Sequence, residues 1–451
     1  MYSSPTLGKT VFIKFITMQY QVYSLHNYLS IPQINKLTSR QKMDIEAVAR
    51  ILPFKTNNYV VNELIDWDNF ENDPLFILNF PQKNMLQDKH YHRISNLIHA
   101  GESKRTIIDE ANNIRMELNP HPAGQLEHNI PRLHDERLPG LQHKYRETLL
   151  FFPSQGQTCH AYCTFCFRWP QFTGLSELKF AMKQADLLVA YLKDHPEISD
   201  ILFTGGDPMV MKTSTFKRYI DAILEADLPH LTTIRIGTKA LSFWPYRFVS
   251  DEDADEMLWL FEKIVSSGKH LTIMAHFNHY RELETNIAQF AIKRIRTTGA
   301  QIRTQSPLLN HINANPEIWA EMWRRQVNLG IVPYYMFLAR QTGAQHYFSV
   351  SLANAYHIFK KAYSNISGIG RTVRGPSMSA NPGKIKVLGI SEIFGEKVFV
   401  LSFIQGRNPS WVKRPFYARF DPLANWITDL QPAFGKEKFF YEEELHQMLM
   451  G

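Results

Sequence analysis

Three cysteines, Cys159, Cys163 and Cys166, stand inside GQTCHAYCTFCFR (156–168), and the chain of 451 residues has no others. The spacing C-x3-C-x2-C lets one short loop wrap a single inorganic centre. An iron–sulfur cube takes thiolates on its irons, and three thiolates leave one iron open to activate a ligand. Two plainer readings compete. A zinc knuckle wants a fourth ligand at tetrahedral spacing, and His160, adjacent to Cys159, is poorly placed to provide it. A disulfide with a leftover thiol suits a small secreted scaffold better than a chain of this length.

Other residues invite chemistry less specifically. Gly205 and Gly206, in TGGDP (204–208), allow close backbone approach, though such a string is also an ordinary turn. HFNH (276–279) has two histidines three apart; we assign no metal there and read hydrogen-bonded structural histidines as the alternative. Lys384 follows a Pro-Gly pair in NPGKIKV. Its amine could meet an aldehyde cofactor as a Schiff base, against the plainer reading of a solvated surface lysine. Phe165, just before the last cysteine, reads on its own as a loop anchor.

The elements that must position these residues begin near Arg146. Short apolar runs at 146–152, 200–206, 232–238, 271–276, 300–306 and 332–338 alternate with longer helical patterns. Such alternation predicts parallel strands joined by crossover helices, and about six units predict an open or partial barrel rather than a closed one of eight. Asn315 followed by Pro316 is a helix cap with proline at the first helical position. The marked residues fall just past the C-terminal ends of the predicted strands, the edge that carries chemistry in parallel α/β folds. They are the cysteine loop, Gly205-Gly206-Asp207, Thr238-Lys239, His276–His279, Gln305-Ser306 and Arg340.

Three regions are expected. Residues 1–145 form a mostly helical lead-in, with a serine-capped helix at SRQKMDIEAVARILPF. Residues 146–345 form the strand–helix units. Residues 346–451 hold a segment rich in glycine, proline and serine around Lys384, then a hairpin from KVFVLSFIQ and RPFYARFD, then a helical tail. The start, TVFIKFITMQY, is apolar but broken by Lys14; it reads as a short strand or an extension rather than a leader.

Composition bounds the class. Hydrophobic residues are 44% and charged residues 21%, enough for a large core and against global disorder. The net charge of +7 is scattered; it reads as a solvated surface, with a preference for anionic small molecules as the alternative, and nucleic acid is not required. No apolar run is long enough to span a membrane. The expected compartment is the cytoplasm, where thiols stay reduced.

The cysteine spacing resembles that of the radical S-adenosylmethionine (SAM) enzymes. More of the chain, from about residue 45 to 390, resembles the lysine 2,3-aminomutase family of pyridoxal-phosphate (PLP)-dependent radical SAM enzymes. The resemblance is carried by ILPF, ELIDW, DPLF, FPQ, KYRETLLFF, CxxxCxFCFR, TGGD, IRIGT, HFNH, TQSPLL, PYYMF and the Pro-Gly-Lys segment. It implies α/β architecture, namely a partial (β/α)6 TIM-like barrel of the radical SAM type with a helical N-terminal region and a C-terminal β-hairpin extension. It implies a [4Fe–4S] cluster on Cys159, Cys163 and Cys166, with SAM chelated at the open iron. Phe165 would lie near the adenine, Asp207 would accept from the ammonium of SAM, and Gly205, Gly206 and Gln305 would belong to the same cofactor set. Lys384 would hold PLP, with Lys144, Tyr145 and Arg146 near its phosphate, and Arg168 would grip the substrate α-carboxylate.

The implied reaction cleaves SAM to a 5′-deoxyadenosyl radical and moves an amino group from Cα to Cβ of an amino acid held as its PLP aldimine. A reductant such as flavodoxin or ferredoxin is implied, and assembly of identical chains is compatible. The lysine-specific members carry aspartates where this chain has Arg340 and Arg374. Two arginines suit a carboxylate or phosphate, not an ammonium, so an acidic substrate is expected instead of lysine; pairing with nearby carboxylates is the plainer alternative. The family's C-terminal zinc-binding cysteines are missing, so no structural zinc is expected. Radical SAM chemistry without amino migration, on a protein lysine or without PLP, is the competing enzyme reading. An iron–sulfur regulator is the reading from another class.

Overall fold

The computed structural model describes residues 17–175, 178 and 180–450. The apolar start therefore lies outside the described residues up to residue 16, as does part of the helical pattern expected just before residue 185.

One mixed sheet of eleven strands organises the molecule. In chain order its strands are β1 (Leu141–Tyr145), β2 (Thr148–Phe151), β3 (Asp200–Phe203), β4 (Thr233–Thr238), β5 (His270–His276), β6 (Gln301–Leu308), β7 (Val332–Leu338), β8 (Arg374–Ser379), β9 (Gly383–Ile393), β10 (Glu396–Gly406) and β11 (Pro415–Arg419). Each strand pairs with its neighbour in sequence. β2 to β8 run parallel, whereas β1 and β9 to β11 are antiparallel additions at the two edges.

Six helices return the chain between parallel strands: α1 (Ala185–Asp194), α2 (Thr213–Glu225), α3 (Ala254–Ser266), α4 (Asn286–Thr297), α5 (Pro316–Asn328) and α6 (Leu352–Ser364). Their starts follow local chemistry. The Asn315 side chain accepts from Glu317 N at 2.8 Å, ahead of Pro316 at the first position of α5. The early helix Ser39–Ala49 is capped by Thr38 and Gln41 in a reciprocal box, one residue before the serine expected to cap it.

The parallel strands alternate. Ile201, Phe203, Ile234, Ile236 and Ile302 are buried in the core that also takes Leu188, Phe216, Phe261 and Trp319 from the helices. Residues between them face the other side, where they line a cavity. Sequence and structure differ at two places. A seventh parallel strand, β8, joins the six expected. The glycine-, proline- and serine-rich segment around Lys384, to which no element is assigned from the sequence, forms β8 and β9. Low strand propensity is overridden there because β7 and β10 supply ladders on both sides.

A second core gathers N-terminal residues such as Ile45, Val48, Leu75, Phe80 and Ile94 with Phe243, Trp244, Leu309 and Phe348 from loops after the parallel strands. The N-terminal region is thereby packed on the sheet edge where the cysteine loop lies. No described helix is long and apolar enough to cross a membrane.

Candidate active site

The cysteine loop follows β2 and is gripped from two sides. From the N-terminal region, Lys55 Nζ donates to Cys159 O at 2.6 Å, and Asn57 Nδ2 to His160 O at 3.2 Å. The loop's own Tyr162 N and Thr164 N donate to Lys55 O and Leu78 O at 2.7 and 2.9 Å. From the other side comes the loop after β3. Asp207 N donates to Thr158 O at 2.7 Å, and a Cβ on Gly206 would sit 2.4 Å from that same carbonyl oxygen. Gly205 adopts φ +132°, a conformation that side chains rarely take. The two glycines thus act on the cysteine loop itself.

Asp207 is 2% exposed and spends its carboxylate inside the protein. It accepts from Met209 N and Lys239 N at 2.9 and 2.8 Å, and from Thr238 Oγ1 at 2.7 Å. It therefore ties the end of β3 to the end of β4. Desolvation raises its pKa, and these donors oppose the rise.

Burial pushes all three thiols up, Cys166 to about 11, so a metal centre would have to draw off their protons. Among the described residues no three His, Cys, Asp or Glu side chains converge to hold one metal ion. Cys159, Cys163 and Cys166 all lie on this one clamped loop; a lone tetrahedral zinc would want a fourth ligand beside them, whereas an iron–sulfur cube takes thiolates on its irons.

Beside this loop the concave face of the sheet encloses a cavity of about 250 Å³. Phe165 and Arg168 enter it from the cysteine loop, Tyr145 from β1, Gln305 from β6, Arg340 from the loop after β7 and Lys384 from β9. Lys384 is not a surface lysine. Its Nζ lies 4.3 Å from the Tyr335 ring centroid and donates to Gln405 Oε1 at 3.1 Å. Burial, with Arg235, Arg340 and Arg374 nearby, pushes its pKa down to about 7.

The cavity is cationic. Lys144, Arg168, Arg235, Arg340 and Lys384 line it, and no described Asp or Glu does. Among the described residues, Arg235 alone of these five has a carboxylate partner, donating through Nε to Asp200 at 2.7 Å. Arg168 stacks 4.5 Å from the Phe152 ring and leaves Nη1 buried without a partner. Arg340 stacks 4.2 Å from the Phe167 ring. Burial lowers both guanidiniums, Arg168 to about 9 and Arg340 to about 10, and Arg340 adds to the pressure on Arg168. Poorly solvated cations without counterions make a site for anions.

Two expected residues are elsewhere. Arg146 lies exposed in the turn between β1 and β2, at the opposite end of β2 from the cysteine loop, because that two-residue turn must project into water. Arg374 starts β8 as an exposed residue 4.8 Å from the Tyr334 ring, and does not line the cavity. In HFNH, His279 is structural and caps the following turn. His276 lines the cavity 5.7 Å from the Phe165 ring, with Nε2 buried and unpartnered. Beneath it, Lys239 Nζ is held by Glu282 at 2.6 Å and Asn278 at 3.0 Å.

Arg235 and Gln405 were not singled out from the sequence. Arg235 was readable as the polar residue between Ile234 and Ile236, whose alternation turns it to the opposite face. Gln405 depends on strand register, which no local signal fixed.

No family model matches the chain. Curated relatives do. The L-lysine 2,3-aminomutase of Haemophilus influenzae is 29% identical over 232 residues, 51% of this chain and 64% of that protein. The Escherichia coli enzyme is 27% identical over 231 residues, 51% and 63%. A protein of Aquifex aeolicus that carries the provisional name L-lysine 2,3-aminomutase is 28% identical over 397 residues, 88% of this chain and 92% of its own length. The chain is a homologue of the lysine 2,3-aminomutases. Those names describe isomerases acting on L-lysine, and their homologue here is an enzyme. Among solved structures, Streptococcus suis SuiB bound to S-adenosylmethionine matches at 12% identity with a TM-score of 0.34, over 71% of this chain and 61% of that one.

The residues present fit the aminomutase cofactors. Three cysteines on one clamped loop fit the cluster. The unpartnered His276 Nε2 beside Phe165 offers a polar atom and a ring to a nucleoside next to that loop. A lysine with a lowered pKa, in a cavity with surplus cations, fits an aldehyde that carries a phosphate.

Proposed function

We propose that this enzyme is a radical SAM aminomutase that moves an amino group from Cα to Cβ of an amino acid with an acidic side chain. One observation carries the reading. Lys384 opens on the same cavity as Phe165 and Arg168 of the cysteine loop, together with Arg340.

When bound, the cluster and SAM supply a hydrogen-abstracting radical, and PLP supplies a π-system through which nitrogen can move. The chain's residues do the rest. Cys159, Cys163 and Cys166 hold the cluster. Lys384 is half neutral near pH 7, so its amine is nucleophilic at working pH. Lys144 and Tyr145 stand at one side of the cavity for a phosphate. Arg168 binds the α-carboxylate, and Arg340 binds a second carboxylate on the substrate side chain. Asp207, Gly205 and Gly206 act through the cysteine loop. The N-terminal region covers that loop and keeps water from the reacting atoms.

In this reading the sheet is a partial (β/α)6 barrel whose concave face holds the substrate. Residues 1–145 serve as its cover, 146–345 as the radical-generating unit, and 346–451 as the PLP-bearing unit. The cytoplasm and a low-potential one-electron donor of the flavodoxin or ferredoxin type belong to the same proposal.

The test is anaerobic reconstitution with iron, sulfide, SAM and PLP, followed by a screen of amino acids for β-isomers. The expected result is turnover of glutamate or a similar acid ahead of lysine, lost in K384A. Turnover of lysine ahead of every acidic amino acid refutes the substrate class. SAM cleavage with no β-isomer from any amino acid refutes the aminomutase.

A further inference from the structure

We propose that Gln405 is the positioning residue for Lys384, fixing the amine where it captures PLP; the inference rests on the function proposed above. Lys384 and Gln405 are register partners across the β9–β10 ladder. Their side chains meet through the 3.1 Å hydrogen bond inside the cavity.

The ladder is built to produce this pair. The register shifts between Lys384 and Ile385, so that Ile385 faces Phe403 and Ile404 is the extra residue. Such a bulge re-aims side chains on the bulged strand. Gly383 lets the two backbones close up beside it, since a Cβ there would meet Gln405 O at 2.3 Å.

The far side of the pair is pinned as well. Arg407, two residues on, donates to Asn381 O at 2.9 Å and to Asn129 Oδ1 at 2.6 Å. The Tyr335 ring covers Nζ from β7. A lysine stem is otherwise a flexible chain of four carbons. Held between an amide oxygen and a ring face, its nitrogen has one place to be.

Capture is a balanced condensation. The Lys384 nitrogen bonds to the aldehyde carbon of PLP. The carbonyl oxygen leaves as water with two hydrogens from the nitrogen, and no oxidant or reductant is needed. Gln405 Oε1 accepts a hydrogen bond from the Lys384 amine before the step, and again once the cofactor has passed to substrate and the amine is free.

The test uses the full chain with PLP alone, without iron or SAM. Adducts are reduced with borohydride at timed intervals, and the modified Lys384 peptide is counted by mass. Gln405→Met removes the oxygen at similar volume and should slow capture at least about five-fold, the worth of one such hydrogen bond. Gln405→Glu places a carboxylate beside Nζ and should move the pH midpoint of capture up by about one unit. The other charged or titratable groups near Nζ, namely Lys144 on β1, Arg235 on β4, Tyr334 on β7, Arg340 after β7 and Arg374 on β8, are left in place by both variants. A purely structural role for Gln405 would not move that midpoint. Capture by Q405M within about two-fold of the parent, less than one hydrogen bond's worth, overturns the proposal. An unmoved midpoint in Q405E overturns it too, and decides the matter alone if Q405M fails to fold. Absence of any Lys384 adduct in the parent chain removes the aminomutase reading, and this inference with it.

Discussion

Lys384 shows how far a residue's surroundings change what its type implies. Pro-Gly-Lys in a sequence is most often a solvated turn. Here Nζ lies between Tyr335 and Gln405, and burial with three arginines nearby holds its pKa near 7. An ordinary lysine titrates at about 10.4. The neutral amine is the reactive form, so PLP capture should rise with pH up to about 7 and level above it. Continued rise through pH 9 would show that Lys384 titrates as an exposed lysine. The same depression has a stability sign. Between about pH 7 and 10 the unfolded chain binds this proton and the folded chain does not, so the Lys384 contribution makes stability increase with pH across that window. At Arg168 and Arg340 the pressure runs the same way: each guanidinium is disfavoured by burial, and a bound carboxylate relieves both.

The elements show which features the sequence carried. β2 to β7 were legible as short apolar runs, and the start of α5 as the Asn315 cap ahead of Pro316. The sequence RGPSMS of β8 has no such pattern and is a strand because β7 and β9 flank it. Residue types and strand–helix alternation placed the three cysteines and Arg340 at one sheet edge. They could not place Arg374 or Arg146, because whether an arginine reaches a cavity depends on register and turn projection. The Gly-Gly-Asp loop makes its own prediction. A methyl group at Gly206 would have to displace the Thr158 backbone, which leads directly into Cys159. Gly206→Ala should cost about 1–3 kcal/mol of stability as overpacking, and should lower iron bound per chain after reconstitution. Gly368→Ala is the control, since nothing lies within 4 Å of a Cβ there. Equal iron content in the two variants would mean that the contact with the cysteine loop is immaterial.

At the scale of the whole molecule, the N-terminal region shares its core with loops on the catalytic edge, so it is part of the site rather than a separate body. Asn57 is the joint. It is fully buried, donates to His160 O at 3.2 Å and Phe243 O at 2.9 Å, and accepts from Val60 N at 3.0 Å. Asn57→Leu keeps approximate volume but strands Phe243 O and Val60 N, at roughly 1–3 kcal/mol each where no water enters, while His160 O keeps the Tyr20 hydroxyl at 2.7 Å. Relief comes by letting water in, and the nearest route is beside the cysteine loop. A reconstituted cluster in N57L should therefore bleach in air several times faster than in the parent chain. Lost stability alone could loosen any site, so the comparison is Ile220→Ala. Ile220 is fully buried on α2 behind the sheet, and its truncation costs about 2–5 kcal/mol through a cavity. If the cover acts locally, N57L bleaches fast and I220A does not, although both melt earlier than the parent. Equal bleaching of the two variants would instead make cluster protection a property of global stability, and the N-terminal region would lose its role as the cover of the site.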